Sequence, residues 1–340
     1  MILPEATFTH LLRLTDERGL YEHARGAQPR REGGYCVDDN ARALVVLARA
    51  PELAVDPQLR RAHRTYLSML IGAQDRDGGF RNRLGPDGTW RDRASVEDCW
   101  GRALWGLGAT VSSPFESGSG ALALATFTTG ARRRSPWPRA MAFAALGAAE
   151  VLKAVPDHPE ARALLAAAAD RIGRPRRSPS WPWPEDRLSY ANAVLAETLL
   201  ATGAALGDTS RLADGQTLLG WLLDSETRDG HLSVTPVGGR GPGEMPPGFD
   251  QQPIEVAALA DACARAYALT GQARWAQGVE MSAAWFLGAN DNGTPMNDEV
   301  SGGGCDGLER DGRNENQGAE STLALLSTLQ HARRFAGASR

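Results

Sequence analysis

Residues 253–271, PIEVAALADACARAYALTG, are small or apolar nearly all the way around a helical wheel. A helix of this kind is buried on both sides, because a half-exposed helix keeps one polar face. Five other segments share this composition and the helical spacing of apolar residues. The six segments predicted to form buried helices are 38–50, 97–109, 139–152, 190–203, 253–271 and 316–334.

A second kind of helix is predicted before each buried segment. In DGQTLLGWLLDSE, residues 214–226, apolar residues recur every three to four positions with polar residues between them, which is typical of a half-exposed helix. The six half-exposed segments lie at 5–15, 57–74, 115–132, 158–172, 209–225 and 273–288.

Six alternations of half-exposed and buried helices predict an all-α fold class, an (α/α)6 toroid or six-hairpin barrel with an outer and an inner helix ring. We expect it to form a single domain over residues 1–340. An irregular all-α bundle or solenoid is the alternative. Few strands are expected, and HLSVTPV at 231–237 carries the best strand pattern.

The connections indicate which end of the ring carries function. Connections from a buried to a half-exposed helix are mostly short, whereas those in the other direction are mostly long. Loops beyond ~12–15 residues are uncommon unless functional or disordered. All the long loops emerge where the buried helices begin, so we expect a funnel there. The long loops are 16–37, 75–96, 173–189, 226–252 and 289–315.

The composition of the chain argues against several classes of binding partner. A net charge of −4 and a pI near 5.9 argue against nucleic-acid binding. No apolar run approaches the ~20 residues that span a membrane, and the N-terminus lacks a secretory pattern, so a cytoplasmic location is expected. Cys36, Cys99, Cys263 and Cys305 are widely separated and form no zinc motif. No metal and no cofactor are predicted.

Carboxylates recur at the predicted inner-helix starts. The motif Q-x-x-E occurs twice, in FDQQPIE and NENQGAE, and DDNARAL resembles DCWGRAL sixty residues later. Glycosidic-bond chemistry requires two carboxyl groups, one acid and one base. The predicted catalytic carboxylates are Glu255, Glu320, Asp38 and Asp98.

Each carboxylate also has a structural interpretation. Both glutamates lie in a first helical turn, where a carboxylate caps backbone N–H groups and suits the helix dipole. Asp38–Arg42 and Asp98–Arg102 are spaced i,i+4 and could be simple ion pairs. We favour a shared pocket, because caps alone would not need long polar loops around them.

Amide, charged and aromatic side chains on the same rim could bind sugar hydroxyls or stack on sugar faces. Asp39 and Asp250 are expected to orient hydroxyls. The predicted substrate-binding residues are Asp39, Asn40, Arg42, Trp90, Trp100, Arg102, Trp137, Tyr190, Asn192, His231, Asp250, Gln251, Gln252, Asn316 and Gln317.

The stretches YCVDDNARALVVL, VEDCWGRALWGLG, FDQQPIEVAALADAC and DGLERDGRNENQGAESTLA resemble a bacterial family of six-hairpin glycosidase-like proteins. The resemblance extends over nearly the whole chain. These proteins occur alone or attached to glycosyltransferase domains and are often described as glycosyltransferase-associated. The resemblance implies an (α/α)6 barrel, carbohydrate chemistry and a functional link to a glycosyltransferase. It assigns no catalytic residue.

We therefore predict an enzyme that acts on glycosidic bonds of an oligosaccharide by inverting, two-carboxylate acid/base hydrolysis. A non-catalytic carbohydrate-binding or accessory module of a glycosyltransferase system is the main alternative. A sugar epimerase or isomerase is less favoured, because no inner-helix start carries a histidine. A terpenoid cyclase-like enzyme is also less favoured, because AQDRDGGF is a single copy of its motif and Cys36 replaces the first aspartate of D-x-D-D.

Overall fold

The chain folds into α-helices joined by loops that carry short β-hairpins. The computed structural model describes residues 3–113, 116 and 118–338. Within them the helices are α1 (Thr9–Arg13), α2 (Val37–Ala48), α3 (Pro57–Ala73), α4 (Asp98–Ser112), α5 (Ser119–Ala131), α6 (Pro138–Ala154), α7 (Pro159–Ile172), α8 (Ala193–Leu206), α9 (Thr209–Ser225), α10 (Pro253–Thr270), α11 (Ala273–Phe286) and α12 (Ala319–Ala338).

The six even-numbered helices form a closed inner ring. α2 contacts α4, α4 contacts α6, and the series continues through α8, α10 and α12 back to α2. The odd-numbered helices pack outside, with α3, α5, α7, α9 and α11 on the inner helix that precedes each of them and α1 on α12. The inner helices correspond to the six segments predicted to be buried, so the predicted toroid is confirmed.

The inner ring is held closely together by small residues, most clearly between α4 and α6. A Cβ added at Gly108 would lie 2.2 Å from the carbonyl oxygen of Gly147, and one at Gly147 would lie 2.2 Å from that of Leu104. Only glycine allows the two backbones this approach. The alanine-rich and glycine-rich composition of the inner helices therefore has a direct packing reason.

Short turns close the ring at one end. α10 ends at Thr270 and α11 begins at Ala273, and α8 and α9 are separated only by Gly207 and Asp208. Asp208 caps α9 by accepting a hydrogen bond from the Arg211 N–H at 3.0 Å. The long connections therefore all lie at the other end, as predicted.

The long loops carry four two-stranded antiparallel sheets. Their strands are β1 (Ala24–Arg25) with β2 (Gln28–Pro29), β3 (Tyr35–Cys36) with β4 (Arg83–Leu84), β5 (Thr227–Arg228) with β6 (His231–Leu232), and β7 (Gly307–Glu309) with β8 (Gly312–Asn314). Three of these sheets are hairpins and one, β3 with β4, joins two different loops. Two 3-10 turns occupy Arg31–Gly33 and Pro51–Ala54. Of the predicted strand 231–237, the first two residues pair with β5, and Pro236 forms an isolated bridge with Gln251.

Some helix boundaries differ from the prediction. α1 occupies only part of 5–15, and α12 begins three residues after 316. In the predicted helix 115–132, residues 115 and 117 lie outside the described residues, and α5 begins at Ser119. Among the helices described, none is both long and apolar enough to cross a membrane.

Candidate functional site

A polar cavity of about 340 Å³ lies where α2, α10 and α12 begin. Its volume is at the lower end of the range for small-molecule sites, ~300–1,000 Å³. The cavity is lined by side chains of α2 and α12, by Gln252 immediately before α10, and by the long loops around them. The lining residues are Glu22, His23, Cys36, Asp38, Asp39, Arg42, Asp250, Gln252, Asp306, Asn314, Gly318, Glu320 and Ser321.

Two larger cavities, of about 770 and 480 Å³, lie at the opposite end of the ring, where inner helices end, and a third, of about 550 Å³, lies against the outer helix α3. Charged groups at the end of α2 and in α8 and α10 form ion pairs in the second of these cavities. Arg49 is 2.6 Å from Asp261, and Arg265 is 2.9 Å from Glu197. We therefore place the candidate site in the smaller cavity, where carboxylates outnumber their cationic partners.

Arg42 joins two of the lining carboxylates. Its Nη1 lies 2.5 Å from Asp39 Oδ1, and its Nη2 lies 2.6 Å from Glu320 Oε2. The ion pair between Arg42 and Asp38 that i,i+4 spacing allowed is not formed among the described residues. The guanidinium instead connects the starts of α2 and α12, and it holds Glu320 at the cavity with 38% of the side chain exposed.

Asp38 is the least satisfied carboxylate of α2. Asn82 Nδ2 donates to its Oδ2 at 3.4 Å, whereas its Oδ1 is enclosed and has no hydrogen-bond partner among the described residues. Burial raises the pKa of the Asp38 carboxyl, an effect that the charges of Arg42 and Arg102 oppose. Burial thus favours the protonated form of this carboxyl group.

Asp39 is more firmly held. The Cys36 thiol donates to its Oδ2 at 3.0 Å, and burial raises the pKa of Asp39 to about 6 despite Arg42. Glu22, Cys36 and Asp39 also bring one possible metal-ligand atom each within 4.8 Å of one another. Burial raises the pKa of the Cys36 thiol well above its usual value, which disfavours the thiolate that a metal would need. The absence of a metal stays a prediction.

Asp250 and Asp306 complete the acidic lining from the loops. Asp250 Oδ1 is enclosed without a hydrogen-bond partner in the described part of the chain, and a Cβ at Gly307 would lie 2.1 Å from it. Asp306 Oδ1 accepts a hydrogen bond from the Gly318 N–H at 2.8 Å. Burial raises the pKa of both carboxyl groups.

Several lining residues had no role in the sequence-based site. They are Glu22, Asp306, Asn314 and Ser321. Glu22 is ion-paired with Arg83. They lie in loops or beside a predicted carboxylate, and the only sequence signal for them is the concentration of polar residues in the long loops. His23, with 57% of its side chain exposed, also lines the cavity beside Glu22.

Glu255 is placed differently from Glu320. It is 3% exposed and lies between α10 and the start of α8. It accepts hydrogen bonds from the backbone N–H groups of Ala191 and Asn192 and from Asn192 Nδ2. Burial, together with the charge of Glu226, raises the pKa of Glu255 to about 8, although the backbone N–H donors of Asn192 and Ala191 and the charge of Arg139 oppose the rise. Glu255 is not among the residues that line the cavity.

Asp98 and Arg102 do not pair with each other among the described residues. The Tyr190 hydroxyl donates to Asp98 Oδ2 at 2.5 Å. The Arg102 guanidinium instead stacks on Phe143, with its central carbon 3.7 Å from the ring centroid. Both residues belong to α4, which packs against α2, the helix of Asp38, but neither is among the residues that line the cavity.

Other predicted binding residues hold the surrounding loops and helices in place through hydrogen bonds. Asn40 bonds to the backbone of Leu20 through both ends of its amide, and Gln251 donates to Asp291 at 2.6 Å. The residues of this kind are Asn40, Trp100, Asn192, His231, Gln251, Asn316 and Gln317. Trp100 is fully buried and donates to the Gly130 carbonyl, so its ring packs in the core.

Three other aromatic residues predicted to bind substrate are more exposed to solvent than Trp100. Trp137 is 57% exposed where α6 begins, and Tyr190 is 45% exposed. Trp90 is partly buried and packs against the core. Together with Gln252, which lines the cavity, these residues remain predicted ligand contacts.

Comparison by sequence finds no matching family profile and no matching curated protein. Comparison by structure finds several similar folds. Cellobiose 2-epimerase from Bacillus thermoamylovorans superposes with a TM-score of 0.70 at 13% identity, covering 95% of each chain. D-mannose isomerase gives a TM-score of 0.69 at 12% identity, with 96% of this chain and 95% of that chain covered.

A glycosidase is similar as well. An inactive double aspartate-to-alanine variant of an α-1,6-mannanase from a Salegentibacter species, in complex with α-1,6-mannotetrose, has a TM-score of 0.64 at 11% identity, with 95% of each chain covered. Identities this low establish the fold alone. The chain thus has the (α/α)6 architecture of the six-hairpin glycosidase-like enzymes, as the sequence resemblance implied.

Proposed function

We propose that this protein is a carbohydrate-active enzyme that hydrolyses a glycosidic bond of an oligosaccharide with Asp38 as general acid and Glu320 as general base. One observation carries the proposal: two carboxyl groups from different inner helices line one polar cavity in opposite environments. Asp38 has an enclosed, unpartnered oxygen, whereas Glu320 is open to the cavity and ion-paired with Arg42. Such a contrast separates the acid from the base in a glycosidase.

The general acid must carry a proton near neutral pH, and burial raises the pKa of Asp38 in that direction. In the proposed step, Asp38 gives its proton to the departing glycosidic oxygen as the bond to the anomeric carbon breaks. Glu320 accepts a proton from the water that attacks the opposite face of that carbon. Its Oε2 is bound to Arg42, which leaves Oε1 for the water. Direct attack by water inverts the anomeric configuration.

Hydroxyl recognition would come from the remaining polar lining. Asp39, Asp250 and Asp306 offer acceptors, and Asn314 and Gln252 offer both donors and acceptors. The mannanase of similar fold is inactive after replacement of two aspartates and is bound to a mannotetrose, which is in keeping with an oligosaccharide substrate here. A functional link to a glycosyltransferase is a further part of the proposal.

The test is a panel of manno- and gluco-oligosaccharides incubated with the purified protein and followed by ¹H NMR. New reducing ends with inverted anomeric configuration support the proposal. Asp38→Asn and Glu320→Gln should each lower kcat by ~10²–10⁴-fold, the usual contribution of general acid–base catalysis. Retained configuration would require a different pair of carboxylates, and binding without turnover would favour the accessory-module alternative.

A sugar epimerase or isomerase is the second candidate. The epimerase and isomerase of similar fold cover nearly all of both chains, and His23 supplies the cavity with an imidazole. Proton abstraction beside a sugar carbonyl would suit such a group. The same NMR experiment separates the two: an epimerase changes one stereocentre without cleaving the saccharide. The charged lining disfavours the cyclase alternative, whose substrates need an apolar cavity.

A further inference from the structure

Arg102 is a buried cation without a hydrogen-bond or ion-pair partner among the described residues. It is 4% exposed, and no hydrogen bond or ion pair to its guanidinium is formed by the residues that the structure describes. Its Nε is enclosed and unpartnered. Buried guanidinium groups are normally paired, because an unsatisfied buried donor carries a desolvation cost. The neighbouring inner helix shows the usual arrangement, since Arg139 is bonded to Glu185, Asn192 and the Tyr190 carbonyl.

The orientation of Arg102 is fixed by packing. One face of its guanidinium lies on the Phe143 ring at 3.7 Å, so the donors in its plane point past the ring edge. Arg102 lies one turn after Asp98 on α4, and α4 packs against α2, the helix that carries Asp38. The i,i+4 partner that could have satisfied it, Asp98, is bonded to Tyr190.

The charge of the site favours a neutral ligand. Six carboxyl side chains line the cavity against one arginine, Arg42, and Arg42 is already bound to two of them. A uronate, sulfate or phosphate would meet this excess of negative charge. Sugar hydroxyls, by contrast, donate to carboxylates and accept from a guanidinium at the same time.

We propose that Arg102 is a specificity-determining residue that donates hydrogen bonds to an oxygen of a neutral oligosaccharide lying between Asp38 and the Asp98–Tyr190 pair. This inference deepens the proposed function and rests on it for the nature of the ligand. It does not depend on catalysis, because binding alone would satisfy the guanidinium.

The experiment measures binding by calorimetry for the wild type and for Arg102→Met, Arg102→Lys and Arg265→Met. The probes are a panel of neutral manno- and gluco-oligosaccharides, including cellobiose and α-1,6-mannotetraose, and di- and trigalacturonate as acidic counterparts. Methionine keeps an apolar side chain on Phe143 but removes the donors. Arg265 is a buried, paired arginine at the opposite end of the ring, bound to Glu197.

Arg102→Met should bind the best neutral probe roughly 10–100-fold more weakly than the wild type, in keeping with loss of a hydrogen bond from a charged donor, without a fall in Tm. Arg102→Lys keeps the positive charge but loses the planar arrangement of guanidinium donors, so its affinity for the same probe should lie between those of the wild type and Arg102→Met. Arg265→Met should lower Tm and leave affinity unchanged.

Equal affinity of Arg102→Met and the wild type would overturn the proposal. So would tighter binding of the galacturonates, or no binding by any neutral probe. Saccharide binding that depends on Arg102, with no turnover in the wild type, would sink the hydrolase proposal and leave this inference standing. If Arg102→Met leaves both turnover and affinity unchanged, the proposal for Arg102 is wrong and the hydrolase proposal stands.

Discussion

Replacement of Glu255 with glutamine should cost stability and leave turnover nearly intact. The carboxyl group receives three hydrogen bonds, one on Oε1 from the Ala191 N–H and two on Oε2 from Asn192. A glutamine oxygen can take over the Oε2 position, but its amide nitrogen accepts nothing from Ala191. One buried N–H is then left without an acceptor, which costs about 1–3 kcal/mol.

That loss of stability corresponds to a measurable decrease in Tm. The unfolding entropy of a chain of 340 residues is roughly 0.7 kcal/mol/K. Glu255→Gln should therefore lower Tm by about 1.5–4 °C. Glu255→Ala, which leaves all three donors without an acceptor, should lower it further.

The assay pairs calorimetry with kcat on an oligosaccharide that the wild type cleaves. Positioning by Glu255 predicts a kcat within a few-fold of wild type in Glu255→Gln, because Asp38 and Glu320 are intact. The catalytic role that the Q-x-x-E motif suggested predicts a loss of ~10²–10⁴-fold instead. A hundred-fold loss of kcat with an unchanged Tm would refute the positioning role and indicate that Glu255 is a catalytic residue.

Three further predictions concern stability. Gly108→Ala should destabilise the fold by about 3 kcal/mol or more in urea unfolding, because the new Cβ would lie 2.2 Å from the Gly147 carbonyl oxygen; a neutral effect would contradict the close α4–α6 packing. Ala191→Gly should raise stability by about 1 kcal/mol, since Ala191 has a φ of 45°; a lower urea midpoint would contradict this. The pKa of Glu255 is raised from 4.5 to about 8, so the stability this group contributes is complete below pH 4.5 and is lost as pH rises towards 8. The wild-type Tm should fall over that interval by more than the Tm of Glu255→Gln, and parallel profiles would contradict the shift.

The fold was predictable because its main determinant is local in the sequence. An inner helix such as 253–271 must be apolar on every side, and an outer helix such as 209–225 must not be, so composition alone separates the two rings. The close contacts of Gly108 and Gly147 follow from the same requirement, although the sequence does not show which helices they join.

The site was predictable only in part, because position in a first turn does not determine where a side chain points. Glu255 is the third residue of α10, whereas Glu320 is the second residue of α12. One residue corresponds to a rotation of ~100°, and one glutamate faces the helix packing while the other faces the cavity. Asp306 was missed because its position depends on a loop contact with Gly318, which no periodicity encodes.

In the proposed mechanism, Asp38 and Glu320 act as acid and base in one cavity. The most direct test is the single-turnover rate of Asp38→Asn and of Glu320→Gln on the oligosaccharide that the wild type cleaves fastest, with Tm measured on the same samples. We predict a loss of ~10²–10⁴-fold in each variant, with both proteins folded. Near-wild-type rates in either variant, or a wild type that cleaves no member of the oligosaccharide panel, would contradict the claim.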